Sequence, residues 1–202
     1  MVSVVLFDLG DVVAAWDPSP RIARYAERSG HTSEEVRARL RDSGFSEDCD
    51  RGAYSAREMH TEICRRLGCV FSHDELLMLE ATAFTVRPEV LALATAVTRR
   101  TRTGLLTNSS PLLLEAFPHR FPELSRAFDP ILFSHQFGHT KPAVALFEKV
   151  AKSLETSPSE ILLIDDQERH VEGARSAGWE ALRFRSEAEL RTALTQRSLI
   201  DH

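Results

Sequence analysis

Short apolar runs alternate with longer stretches of helical period along most of this chain. Val4-Val5-Leu6-Phe7, Gly104-Leu105-Leu106, Ile131-Leu132-Phe133 and Ile161-Leu162-Leu163-Ile164 are too short for helices and end in turn-forming residues. They predict strands over 2–7, 103–106, 131–134 and 161–164, with a fifth over 181–184. Helical periodicity fills the intervals at 89–99, 111–117, 142–154, 168–177 and 187–194. Proline stands in the first turn of the third of these and Gly178 closes the fourth. Strands alternating with helices imply a mostly parallel sheet with helices on both faces.

Between Pro18 and about residue 85 the pattern changes. Helices are predicted over 21–28, 33–41, 55–67 and 73–84, with no convincing strand. Ser33-Glu34-Glu35 reads as a helix start. Ser55 followed by Glu58 is a capping-box pattern, and Gly68 supplies the C-terminal glycine. This all-helical block follows the first strand, so 16–86 reads as an insertion into a core made of 1–15 and 87–202. The expected fold class is α/β, a parallel sheet flanked by helices with a small inserted helical unit.

Composition narrows the function classes. A length of 202 residues buries one substantial core with a small appended unit. A net charge of -5 offers no general attraction to nucleic acid or acidic membranes. No apolar run approaches the roughly 20 residues that span a bilayer, and the amino terminus enters a strand pattern without a basic region or cleavage site. Three cysteines, Cys49, Cys64 and Cys69, form neither a disulfide framework nor a Cys-x-x-Cys pair. A cytoplasmic setting and inert thiols are expected. Arginine is the default cation, so the three lysines at 141, 149 and 152 stand out weakly.

Four strand ends carry candidate chemistry. Asp8-Leu9-Gly10 follows the first strand, Thr107-Asn108 the second, Lys141-Pro142 lies past the third, and Asp165-Asp166 follows the fourth. Carboxyl ends of parallel strands line one crevice, where ligands sit. A carboxylate there attacks phosphorus or carbon, a hydroxyl and N–H at a helix start hold anions, and adjacent carboxylates suit a divalent metal. Taken singly, each also reads as an ordinary turn, cap or surface residue. The ordered set at strand ends suits a phosphoryl group and a divalent cation.

With these motifs the chain resembles the haloacid dehalogenase-like (HAD) hydrolases, specifically members with a helical cap inserted after the first strand. The resemblance rests on Phe7-Asp8-Leu9-Gly10-Asp11-Val12-Val13, Leu105-Leu106-Thr107-Asn108-Ser109, Lys141-Pro142, and Ile164-Asp165-Asp166 continuing into Val171-Glu172-Gly173-Ala174. Arg87-Pro88-Glu89-Val90, where the chain leaves the insertion, also fits. The resemblance implies a Rossmann-like core and a Mg2+-dependent phosphatase acting on small phosphorylated metabolites, sugar phosphates among them. It makes Asp8 the nucleophile and a metal ligand, with Gly10 (through its carbonyl) and Asp166 completing the protein's share of the metal shell. Thr107 and the Asn108 N–H hold phosphoryl oxygens, Lys141 neutralises charge, and Asp165 supports.

One departure stands out. Phosphatases of this type place a second Asp two residues after the nucleophile as general acid and base; this chain has Gly10. Asp11 is expected to point elsewhere. Activated leaving groups, such as anomeric, aryl and acyl phosphates, are therefore expected to be favoured. His170 replaces a more usual Asp or Asn and reads as a partly exposed helix residue. His135 and His139 lie in a predicted loop and make no zinc site. Trp16, Tyr54 and Phe84 are candidates for the cap's side of the pocket. Two alternatives stay open: a 2-haloacid dehalogenase, which does not need the metal, and a catalytically weak regulatory protein that binds phosphometabolites. No nucleic-acid or membrane partner is expected, and oligomeric state is left open.

Overall fold

A computed structural model describes residues 2–201. Five parallel strands form the central sheet: β1 (Val4–Phe7), β4 (Arg102–Thr107), β5 (Ile131–Phe133), β6 (Ile161–Asp165) and β7 (Glu180–Arg183). Their spatial order is β5-β4-β1-β6-β7, so β1 is central, with β4 and β6 as its neighbours. The chain steps outward from β1 to β4 and β5, then returns to β6 on the other side of β1. That reversal opens a crevice above the carboxyl ends of the three middle strands.

Alternation along the strands sorts the core into two layers. Val5 and Phe7 pack with Leu105, Leu162 and Ile164 on one face, and Val4 and Leu6 with Leu106, Ile161 and Leu163 on the other. The first face is covered by α6 (Pro88–Val97), α7 (Pro111–Arg120), α8 (Pro122–Ala127) and α11 (Glu187–Gln196). The second is covered by α9 (Val144–Ser153) and α10 (Glu168–Ser176). Strands buried on both faces need near-continuous apolar runs, and the three middle strands have them.

The insertion holds α1 (Ser19–Ser29), α2 (Ser33–Arg37) running into a wider turn over Ala38–Asp42, α3 (Phe45–Asp50), α4 (Ala56–Leu67) and α5 (His73–Ala81). These helices bury a third apolar cluster that includes Tyr25, Phe45, Ile63 and Phe71 and takes in Leu112 from α7. Ser55 caps α4 with the expected reciprocal bonds to Glu58, and Gly68 ends it in a left-handed conformation. The start of α2 is set one residue earlier than expected, by a capping box between Thr32 and Glu35.

Four differences from the sequence expectations have local causes. Phe84–Val86 is a strand, β3, not the end of a helix; it pairs antiparallel with β2 (Ala14–Trp16), in a ribbon between insertion and core. Two three-residue strands far apart in sequence leave no periodicity to read. Helix α3 is a six-residue segment, too short to declare a period. Helix α8 follows α7 directly at Pro122 and is equally short. Helix α9 begins at Val144, with Pro142 in the preceding turn and Ala143 extended at ψ 124°. Among the described residues, no helix is long and apolar enough to cross a membrane.

Gly173 of α10 abuts the Lys141-Pro142 turn so closely that a Cβ there would collide with the Pro142 carbonyl oxygen and crowd Phe147. Gly173→Ala is expected to destabilise the protein by about 1–2 kcal/mol, the overpacking cost exceeding alanine's helix-propensity gain of roughly 1 kcal/mol. Urea unfolding measures this; an unchanged or raised midpoint contradicts it.

Candidate active site

Asp8 extends β1 by one residue, its N–H donating to Ile164 O at 2.8 Å, and it is 6% exposed at the floor of the crevice. Its Oδ1 accepts from the Leu9 N–H at 2.7 Å and meets Lys141 Nζ at 2.9 Å. No described residue bonds Oδ2. Lys141, 2% exposed, spends all three ammonium protons on the protein: Asp8 Oδ1, Asp165 Oδ2 at 2.6 Å and the Leu106 carbonyl at 3.0 Å. Its backbone is held from across the crevice by the side chain of Asn108. Nδ2 donates to Lys141 O and Oδ1 accepts from Lys141 N, each at 2.9 Å. Lysine is therefore a fixed bridge between two carboxylates and not a mobile surface cation.

Asp165 ends β6 fully buried. It accepts from Lys141, from the Gln167 N–H at 3.0 Å and from His170 Nδ1 at 2.9 Å. The two lysine-bound carboxylates separate electrostatically. Burial drives both upward. At Asp165 the Lys141 charge and the His170 bond outweigh burial and hold the carboxyl well below the usual range. At Asp8 burial wins over Lys141, the negative charge of Asp165 adds to it, and the carboxyl rises to about 7. Asp8, with fewer donors, is the more basic of the two.

His170 corrects the sequence expectation: it is buried, 2% exposed, and braces Asp165. On α10 it lies beside Val171 and Ala174 on the face toward the sheet. An acid ending one element and a histidine early in the next, beside buried apolar positions, was the available signal. Asp8, Asp165 and His170 bring ligand-type atoms within 4.8 Å of one another. Lys141 is already bonded to both of those carboxylates, so a dication does not fit among the same oxygens. Asp166 offers the better oxygen. Its Oδ1 is buried with no hydrogen-bond partner, and burial and the adjacent Asp165 raise its pKa. An unpartnered buried carboxylate oxygen that feels the charges of Asp11 and Lys141 is the kind of hard donor magnesium takes.

Thr107, 3% exposed, ends β4 with its hydroxyl 2.9 Å from Ser109 Oγ. Asp11 adopts a positive φ of 56° and turns to the hinge, accepting from the Trp16 N–H at 3.2 Å and lying 3.5 Å from Arg87. Gly10 faces Trp16 and Phe84, which pair across the β2–β3 ribbon. Tyr54 does not reach the crevice but stacks edge-on against Phe45 at 5.2 Å inside the helical unit. His135 bonds Ser109 O through Nδ1 at 2.9 Å. The three cysteines are free, and burial pushes the Cys49 thiol upward.

Above Asp8 the crevice is a cavity of about 410 Å³, joined to an inner cavity of about 280 Å³ under the helical unit. Trp16, Phe84, Arg41, Glu47 and Asp50 line both. The inner cavity carries a network that sequence reasoning missed. Arg21 pairs with Glu80 at 2.6 Å, and Ser110 Oγ donates to Glu80 at 3.2 Å. Its members lie on three helices and shared no motif.

A family model for haloacid dehalogenase-like hydrolases matches residues 2–178. The chain belongs to that family. It is 22% identical over 201 residues to a D-ribitol-5-phosphate phosphatase of Bacteroides thetaiotaomicron, covering 96% of this chain and 98% of the relative. It superimposes with a TM-score of 0.80 at 24% identity on a HAD-like hydrolase of Porphyromonas gingivalis, all of both chains being covered. A HAD enzyme of B. thetaiotaomicron in complex with magnesium and inorganic phosphate matches with a TM-score of 0.76 at 18% identity, covering 92% and 95%.

Lys141→Met removes the cation between two buried carboxylates. It is expected to cost about 3–5 kcal/mol at pH 8. The loss is smaller at pH 5, where Asp8 takes up a proton. Denaturant melts at the two pH values measure it, and an equal or larger loss at pH 5 contradicts the bridge.

Proposed function

We propose that this HAD hydrolase is a Mg2+-dependent phosphatase of small phosphorylated metabolites, with Asp8 as nucleophile. The Asp8 and Asp166 oxygens that no described residue bonds, with Thr107 lining the same crevice as Asp8, carry the reading. Asp8, the Gly10 carbonyl and Asp166 would hold the metal, which supplies charge stabilisation to the transferring phosphoryl group. Thr107 Oγ1 and the Asn108 N–H hold phosphoryl oxygens, the side chain of Asn108 being committed to Lys141. Lys141 acts through Asp8: it fixes Oδ1 and leaves Oδ2 as the attacking atom. Asp165 and His170 hold the lysine.

The helical unit 16–86 works as a cap that covers the crevice and excludes water. The inner cavity beneath it takes the leaving group. Phosphorylated polyols or sugars fit its mixture of apolar walls and the Arg21–Glu80–Ser110 network, and the ribitol phosphate relative points the same way.

Two outcomes test this. Phosphate release from a panel of phosphorylated metabolites is expected to vanish on chelation, return with Mg2+, and fall on the order of 10³-fold or more in Asp8→Asn; turnover surviving either change contradicts it. Because burial holds Asp8 near 7, a dication beside it lowers that value. The acidic limb of kcat/KM is therefore expected to move to lower pH as Mg2+ rises. A limb that ignores Mg2+ counts against metal ligation by Asp8.

A further inference from the structure

Gly10 leaves the position two residues after Asp8 without a proton donor; Asp11, which also lines the crevice, is engaged by Trp16 and Arg87. A Cβ at Gly10 would face Trp16 Cβ at 3.7 Å and Phe84 Cε1 at 3.9 Å. The geometry of phosphoryl transfer says where a substitute must stand. Attacking and leaving oxygens lie roughly in line on opposite sides of phosphorus. Asp8 attacks from the sheet, so the leaving oxygen faces the helical unit. Lys141 and His170 are bonded to Asp165 on the nucleophile's side. The carboxylates that line the crevice from the helical unit are Glu47 and Asp50, both on α3.

Glu47 is exposed and Asp50 half-buried. Asp50 stands where the two cavities join, and no described residue bonds or pairs with its carboxylate. Its main chain is docked on the core. Ser134 Oγ donates to Asp50 O at 2.6 Å and accepts from the Ser109 N–H at 3.2 Å. Two residues on, Gly52 at φ 82° passes the His135 carbonyl so closely that any Cβ would collide with it. The β4 end that presents Thr107 thus also positions Asp50.

Resting on the phosphatase reading, we propose that Asp50 is the general acid and base of this enzyme, delivered to the leaving oxygen from the helical unit. As Asp8 Oδ2 bonds to phosphorus, the P–OR bond breaks. Its electron pair stays on the leaving oxygen, which takes the Asp50 proton and departs as ROH. Asp50 then takes a proton from the water that attacks the aspartyl phosphate, releasing inorganic phosphate and restoring Asp8. The groups facing Asp50 suit both halves. Burial, Glu80 of α5 and Glu47 of its own helix raise its pKa to about 7, against the pull of Arg21 of α1. Arg41, from the turn before α3, lines the same cavities. Gly10 then does not confine the enzyme to activated leaving groups.

The test compares kcat/KM, which reports the steps through loss of the leaving group, on glycerol phosphate and on 4-nitrophenyl phosphate with Mg2+. In Asp50→Asn, the alkyl ester is expected to lose about 10²–10³-fold and the aryl ester less than about threefold, because a nitrophenolate needs little protonation. The basic limb of the alkyl pH profile disappears with it. Adding Gly10→Asp to Asp50→Asn restores part of the alkyl turnover. Equal losses on both esters, or no loss on either, overturn the assignment. Wild-type turnover of the aryl ester alone overturns Asp50 while leaving the phosphatase reading intact. No Mg2+-dependent turnover of any phosphate overturns both.

Discussion

The site is organised around one ammonium group. Lys141 Nζ meets Asp8, Asp165 and the Leu106 carbonyl, and so ties together the carboxyl ends of the three middle strands. Two carboxylates this deep repel each other and are costly to desolvate; a cation with all three donors in use makes the arrangement tenable. It also makes the pair unequal. Asp165, with more donors, is held well below the usual carboxylate range, while burial lifts Asp8 to about 7. The difference between two identical side chains is thereby set by their surroundings and not by their own chemistry.

The core was legible because it repeats a simple rule. The inner strands are apolar runs, and polar residues at or beyond their ends gather at the crevice. Asp8, Thr107, Lys141 and Asp165 were found that way, and the structure brings all four to one place. His170 was misjudged because its burial comes from the fold of α10 against β6, which a single polar letter does not announce. The β2–β3 ribbon and α3 were missed because elements of three to six residues have no measurable period. The Arg21–Glu80–Ser110 network was invisible since its parts come from distant helices. Local pattern thus located the crevice residues, while the inner cavity depends on tertiary packing.

The helical unit carries its own apolar cluster yet borrows Leu112 from α7, and its α3 end is bonded to Ser134. Those attachments sit beside the crevice, so the packing that steadies the insertion also sets the shape of the inner cavity. Trp16 and Phe84, paired across the β2–β3 ribbon, flank position 10 at ordinary contact distance from where a Cβ would lie.

The paired amide bonds between Asn108 and the backbone of Lys141 clamp the exit of the 134–141 segment. His139, just before that clamp, can therefore be exchanged without shifting the ammonium, whereas Ser134 and His135 at the other end of the segment are tied to Asp50 and Ser109. In a lineage under changing demands, the few residues beside the clamp are where novelty is cheapest to accept.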